Sequence, residues 1–184
     1  MTVQISPEST LIDVAYLVCT ALHDAGTVAV LTGGSSAAFY APDRVQSGDA
    51  DFIITMSADE AAAGYEIAQL GFTHIGGTYS HPATIYTLEF PPGPLAIGKA
   101  LVDRYDTFRR GQHQLLHVLT RSDTVCLCLS KFYFWDDRSS LVSALAVAAS
   151  GAIDLQYILK WSIAEGCDLQ KLNEFRDRYA ELGQ

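Results

Sequence analysis

The sequence predicts an α+β fold in which the first two thirds of the chain alternate helices with strands and the last third is helical. Three observations support this prediction. A short apolar, β-branched run at 27–31 is typical of a strand buried on both faces. A run at 49–56 sends alternate residues to opposite faces, as strands do. From Ser122 onward, apolar residues recur every three or four positions, as in amphipathic helices.

The first half of the chain divides into helices and two strands. Leu11 to Leu22 has helical spacing, and Gly26 is a plausible stop before the strand at 27–31. The stretch "GGSSAAFY" at 33–40 predicts a turn into a short helix, and "APDRVQSG" at 41–48 predicts a loop. The segment "DADFIITM" at 49–56 is the second strand, and a helix through about Leu70 ends at Gly71.

The second half begins with β structure and ends with helices. We expect strands in "FTHIGGTYS" (72–80) and "ATIYTLEF" (83–90), a rigid loop in "PPGPLAIG" (91–98), and a strand at 113–119. Ser122 is expected to cap a helix that carries Val125 and Trp135, and Leu141 to Ala148 continues it or starts another. Asp154 and Asp168 are expected to cap helices at 155–165 and 169–182. This division predicts an α/β domain at 1–120 and a helical segment at 121–184 packed on it.

Composition limits the classes of function that the chain can have. With 184 residues, 49% of them hydrophobic and 18% charged, the chain can bury a core of its own. The net charge of -9 argues against a non-specific grip on nucleic acid, which needs a basic surface. No apolar run approaches a membrane span and no signal peptide begins the chain, so the prediction is a cytoplasmic protein without a membrane partner. The cysteines, at 19, 126, 128 and 167, are expected to be reduced and buried.

Asp49 and Asp51 lie one residue apart on the second strand and therefore point to the same face. Two ionised carboxylates so placed repel each other, a cost that a bound Mg²⁺ would offset, because Mg²⁺ prefers oxygen ligands. Glu89, on a later strand, could complete the cluster. The alternative is structural: Asp49 caps the strand, Asp51 pairs with Arg44, and Glu89 is a solvated residue at a sheet edge.

Gly33, Gly34 and Ser35 follow directly after the first strand and open a predicted helix. The positive end of a helix and its free N–H groups suit phosphate oxygens, and glycines allow a close approach. Neither a dinucleotide-binding fingerprint nor a P-loop is present in the sequence. Taken alone, Gly-Gly-Ser after a strand is most often a turn.

Together these segments resemble a known family. The pair "LTGGSSAAFY" and "DADFII" is similar to the signature of the nucleotidyltransferase fold of the DNA polymerase β type, in which a hydrophobic-Gly-[Gly/Ser] turn precedes Asp-x-[Asp/Glu]. The stretch "RVQSGDADF" resembles a run in bacterial minimal nucleotidyltransferase-like proteins. "LSKFYFWDDRSSL" resembles the helical tail of the same group, which includes toxin-related and uncharacterised members. The resemblance implies a mixed sheet flanked by helices and extends loosely over 10–145.

The resemblance also implies a set of site residues. Gly33, Gly34 and Ser35 would hold the triphosphate, and Asp49 and Asp51 would bind Mg²⁺ or Mn²⁺. The third carboxylate, Glu89, would be a metal ligand or the base that takes a hydroxyl proton. Nucleotide contacts are also expected from Arg44, as a neutralising charge, and from Lys131.

The function that follows is transfer of a nucleoside monophosphate from an NTP to a hydroxyl on a protein, RNA or small molecule. The alternative is a non-catalytic protein of the same fold that senses nucleotides or binds a partner protein. Whether the chain is an enzyme, which acceptor it uses, and whether it forms a homodimer are left open by the sequence.

Overall fold

The computed structural model describes residues 4–57 and 60–182, and the bounds of the secondary structure below refer to that part of the chain. The helices are α1 (Leu11–Asp24), α2 (Gly33–Tyr40), α3 (Glu60–Gln69), α4 (Arg121–Trp135), α5 (Arg138–Ala149), α6 (Leu155–Glu165) and α7 (Leu169–Glu181). The strands are β1 (Thr27–Thr32), β2 (Asp49–Ser57), β3 (Thr73–Ile75), β4 (Thr78–Ser80), β5 (Thr87–Glu89), β6 (Ala96–Ile97), β7 (Ala100–Leu101), β8 (Tyr105–Arg110) and β9 (Gln114–Leu119).

Seven of these strands form one mixed sheet in the order β3-β4-β5-β2-β1-β9-β8. β1 is antiparallel to β2 and parallel to β9, and β2 is parallel to β5. Every residue of β1 is buried, as expected for a continuous apolar run inside a sheet. β6 and β7 form a separate two-stranded hairpin. The α+β class, with a mixed sheet flanked by helices and a helical C-terminal segment, is therefore confirmed.

Helix α2 connects the sheet to the C-terminal helices. It packs against β1 and β2 on one side and against α4 and α5 on the other. At its C-terminal end, the Tyr40 hydroxyl donates a hydrogen bond to the backbone oxygen of Leu119 at 3.0 Å. The guanidinium of Arg121, at the start of α4, stacks on the Tyr40 ring at 4.7 Å. Buried residues of both predicted segments belong to one hydrophobic core.

Some predicted elements differ from the observed ones. The strand predicted at 83–90 is reduced to Thr87–Glu89, and the loop predicted at 91–98 ends in the hairpin strand β6. β8 is absent from the prediction, because its sequence "YDTFRR" is largely polar and half of its residues are exposed at the sheet edge. Thr120, not Ser122, accepts the capping hydrogen bond of α4.

The helical segment otherwise follows the sequence closely. The side chains of Asp154 and Asp168 cap α6 and α7 as predicted. The stretch from 121 to 149 is two helices, because Asp136 takes a left-handed conformation at φ 55° and Asp137 caps α5. All four cysteines are unpaired and buried, as expected. Within residues 4–57 and 60–182, no helix has the length and apolar character needed to cross a membrane.

Candidate active site

Three carboxylates converge where β2 and β5 run side by side. The parallel register pairs Asp49 with Thr87 and Asp51 with Glu89, so Glu89 lies beside Asp51 on the neighbouring strand. One carboxylate oxygen from each of Asp49, Asp51 and Glu89 lies within 4.8 Å of the other two. We call these three residues the acidic triad. All three are half-buried, and in the described part of the chain they are the one group of at least three such side chains placed to hold a metal ion.

Electrostatics at the triad centres on Asp51. Burial, followed by the neighbouring charges of Asp49 and Glu89, raises the pKa of Asp51 from its ordinary value of 3.8 to about 6. The positive charge of Lys131 acts on the pKa of Asp51 in the opposite sense. The carboxylates supply the hard oxygen ligands that Mg²⁺ and Mn²⁺ take, and a divalent cation would relieve their mutual repulsion. The residues present therefore fit a divalent metal.

The glycine turn lies directly against the triad. Gly33 has a φ of +61°, and a Cβ at this position would overlap the Asp51 carboxylate. A Cβ at Gly34 would approach the hydroxyl of Ser47 to 3.2 Å. Both glycines thus allow β2 and the residues just before it to approach the start of α2. The helix begins without a side-chain cap, since the Thr32 side chain accepts no hydrogen bond from the N–H groups of the first turn.

Ser35 has a structural role in the site. Its hydroxyl donates a hydrogen bond to the Thr32 carbonyl at 2.7 Å and accepts one from the Asp51 backbone N–H at 3.2 Å. Ser35 is fully buried. This hydroxyl joins β1, α2 and β2 and holds the backbone of Asp51 in place.

Lys131 and Arg44, the two predicted cations, lie in different places. Helix α4 begins beside the C-terminal end of α2, where Arg121 contacts Tyr40. Lys131 lies ten residues further along α4, about 15 Å, toward the N-terminal end of α2. Lys131 is exposed, and it lies close enough to Asp51 for its positive charge to lower the pKa of that carboxyl. Arg44 instead lies in the wall of a cavity of about 620 Å³ that also includes Tyr40, Val142 and Arg178.

One residue that acts on the triad is missing from the predicted site residues. The Ser47 hydroxyl donates a hydrogen bond to Asp49 at 2.8 Å and so fixes the orientation of that carboxylate. The signal in the sequence is its position two residues before Asp49, inside the segment that carries the family resemblance. The histidines form no metal cluster with other ligands in the described residues; His117 is buried and contacts the Thr107 hydroxyl at 2.9 Å and His23 at 3.4 Å.

Comparison with models of protein families gave no match, and a search of curated proteins gave no significant match. The chemistry of the site therefore follows from its own residues and their geometry.

Gly33→Ala is predicted to damage the site, because its methyl group would collide with the Asp51 carboxylate. We expect a loss of about 2–4 kcal/mol in the free energy of unfolding and a weaker affinity for Mn²⁺. The matched control is Gly111→Ala, since Gly111 has the same φ of +61° and open space around its Cβ position. It should cost about 1 kcal/mol and leave Mn²⁺ binding unchanged. Equal effects of the two variants on Mn²⁺ binding would contradict the contact.

Asp51→Asn is predicted to stabilise the metal-free protein near neutral pH. The folded pKa of about 6 exceeds the ordinary 3.8, so the folded state binds this proton more tightly than the unfolded state does. The protonated carboxyl of Asp51 therefore stabilises the folded state fully below about pH 4, and this stabilisation is lost as the pH rises through about 6. Because water reaches part of the carboxylate, we expect a gain on the order of 1 kcal/mol for the variant at about pH 7.5.

Urea unfolding without divalent cations measures this effect as the difference between wild type and variant at each pH. That difference should shrink toward zero at about pH 4. Asp103→Asn, which changes an exposed carboxylate outside the triad, should show no such dependence. A constant difference across the pH range would mean that Asp51 does not titrate in this way.

Proposed function

We propose that this chain is a Mg²⁺-dependent nucleotidyltransferase that moves a nucleoside monophosphate from an NTP to a hydroxyl acceptor. The observation that carries the proposal is the convergence of Asp49, Asp51 and Glu89 beside an uncapped helix N-terminus. Phosphoryl chemistry of this kind needs in-line positioning and charge neutralisation more than a covalent catalyst. A carboxylate cluster that fits a divalent metal, next to a helix start that the Thr32 side chain does not cap, would meet both needs.

Each part of the site has a role in this reaction. Asp49, Asp51 and Glu89 would hold Mg²⁺, which supplies the positive charge that neutralises the phosphate oxygens. The N–H groups at the start of α2 would bind the phosphates, and Gly33 and Gly34 let the phosphates approach the backbone. Lys131 adds one positive charge on the side of α4. Ser35 and Ser47 keep Asp51 and Asp49 in position.

The proposed transfer is a single in-line displacement. The acceptor O–H loses its proton to a carboxylate, for which Glu89 is our assignment, as its oxygen attacks the α-phosphorus. A new P–O bond to the acceptor forms while the bond from the α-phosphorus to the bridging oxygen breaks. Pyrophosphate leaves with the electron pair of that bond.

The cellular setting follows the same proposal. We place the reaction in the cytoplasm, and the four unpaired cysteines support a reducing compartment. The acceptor is a hydroxyl on a protein, RNA or small molecule. Few positive charges lie near the triad: among the described residues, Lys131 is the one cation that lowers the pKa of Asp51. This observation favours the alternative function, a non-catalytic protein that senses nucleotides or binds a partner protein.

Thermal unfolding with each of the four NTPs, with and without Mg²⁺, tests the proposal. A ligand at a hundred times its Kd should add about 2.7 kcal/mol, a Tm rise of roughly 5–10 °C for a chain of this size. We expect the rise with NTP and Mg²⁺ together to exceed the sum of the rises with either alone. Asp51→Asn should abolish the rise, and Asp103→Asn should retain it.

Transfer itself is tested with an NTP labelled in the α-phosphate and the candidate acceptors in turn. Asp51→Asn should lower the rate at least about a hundredfold, because it removes a charge that the metal-bound transition state needs. A Mg²⁺-dependent Tm rise without transfer would favour the sensor function. A fully active Asp51→Asn protein would refute the assignment of the triad.

A further inference from the structure

A cavity of about 550 Å³ lies beside the acidic triad and has no assigned role. Its wall includes Ser47 and Gly48, the last residues before β2, and Ile85 and Tyr86, the last residues before β5. The two strands that begin at this cavity are the two that carry the triad. We call it the strand-start cavity. Its volume is within the range of about 300–1,000 Å³ typical of small-molecule sites.

Ser47 links the strand-start cavity to the triad. Ser47 is part of the cavity wall, and its hydroxyl donates a hydrogen bond to Asp49 at 2.8 Å. The backbone N–H of Thr87 donates to the Gly48 carbonyl at 3.3 Å, which holds the two segments of the wall together.

The wall of this cavity matches an uncharged, mostly apolar ring. None of its side chains carries a formal charge at neutral pH. A polycationic acceptor would require carboxylates there, and a nucleic-acid strand would require lysines or arginines. Leu11, Ala38 and Val45 give an apolar floor, and the half-buried Tyr86 packs on the core while forming part of the wall. Gln46 adds one amide, which can both donate and accept hydrogen bonds.

We propose that the strand-start cavity receives the nucleobase of the NTP whose phosphates bind at the triad, an inference that rests on the proposed function. A nucleobase is uncharged and aromatic, and its edges form hydrogen bonds. The Tyr86 ring supplies an aromatic surface for it, and Gln46 supplies a partner for its edge. Because the base is covalently attached to the phosphates, binding of the phosphates at the charged triad also brings the uncharged base to the weakly polar cavity beside it.

Calorimetric titration with Mg²⁺ and three probes, ATP, UTP and inorganic triphosphate, tests this proposal. Triphosphate has the phosphate charges but no base. We expect wild type to bind ATP about tenfold more tightly than triphosphate, as base stacking on one aromatic side chain predicts. Tyr86→Ala should weaken ATP by about the same factor and leave triphosphate unchanged, whereas Tyr86→Phe, which keeps the ring, should bind ATP as wild type does.

Two further variants complete the design. Tyr65→Ala removes a tyrosine that is 61% exposed on α3 and is not part of the cavity wall, so it should alter neither affinity. Gly48→Leu adds a bulky side chain to a residue of the cavity wall, and a Cβ there has no neighbour within 4 Å, so the variant has room to fold; it should weaken ATP but not triphosphate. It keeps the proposal testable if Tyr86→Ala does not fold.

The outcomes separate the two proposals. The role of the cavity would be overturned if wild type bound ATP, UTP and triphosphate with equal affinity. It would also be overturned if Tyr86→Ala weakened triphosphate binding as much as ATP binding. Either result would leave the proposed function standing. A complete lack of Mg²⁺-dependent binding by all three probes would overturn both.

Discussion

The carboxylate of Asp51 lies against the α-carbon of Gly33, and the rest of the site depends on this contact. Space for the carboxylate exists because Gly33 has no side chain, and its positive φ turns the chain from β1 into α2 at that point. The same closeness places a negative group beside the positive end of α2, which partly compensates for the repulsion from Asp49 and Glu89. The contact between Gly33 and Asp51 thus determines both the turn of the backbone from β1 into α2 and the electrostatic surroundings of the Asp51 carboxylate.

The helical segment contributes to the site through the packing of α4 against α2. Arg121 stacks on Tyr40 at one end of this pair, and Lys131 acts on Asp51 at the other. Arg121 and Lys131 are ten residues apart on α4, about 15 Å along the helix. This arrangement explains how a segment of different periodicity, distant in sequence, supplies a charge to a site built on strands.

The sequence could predict those parts of the site that follow from local geometry. Asp49 and Asp51 share a face because they are two residues apart on a strand, and Gly33 and Gly34 mark the turn because few other residues fit there. The partnership of Asp51 with Glu89 depends on the parallel register of β2 and β5, which no local pattern specifies. The position of Arg44 could not be predicted either, because the loop between α2 and β2 places it in the wall of a different cavity. β8 lacks the apolar alternation that identifies a strand, since it is an edge strand paired with β9 alone.

The hydroxyl of Ser35 has a thermodynamic consequence that goes beyond positioning. It bonds both to the end of β1 and to the backbone N–H of Asp51, so unwinding of the first turn of α2 releases that N–H to solvent. Local unwinding of the turn and disorder of the Asp51 carboxylate are therefore linked equilibria. A molecule that stabilises the helical form of this turn therefore also slows hydrogen exchange at the Asp51 amide. The stability of one turn of helix thus determines the fraction of molecules in which the Asp51 carboxylate is in place.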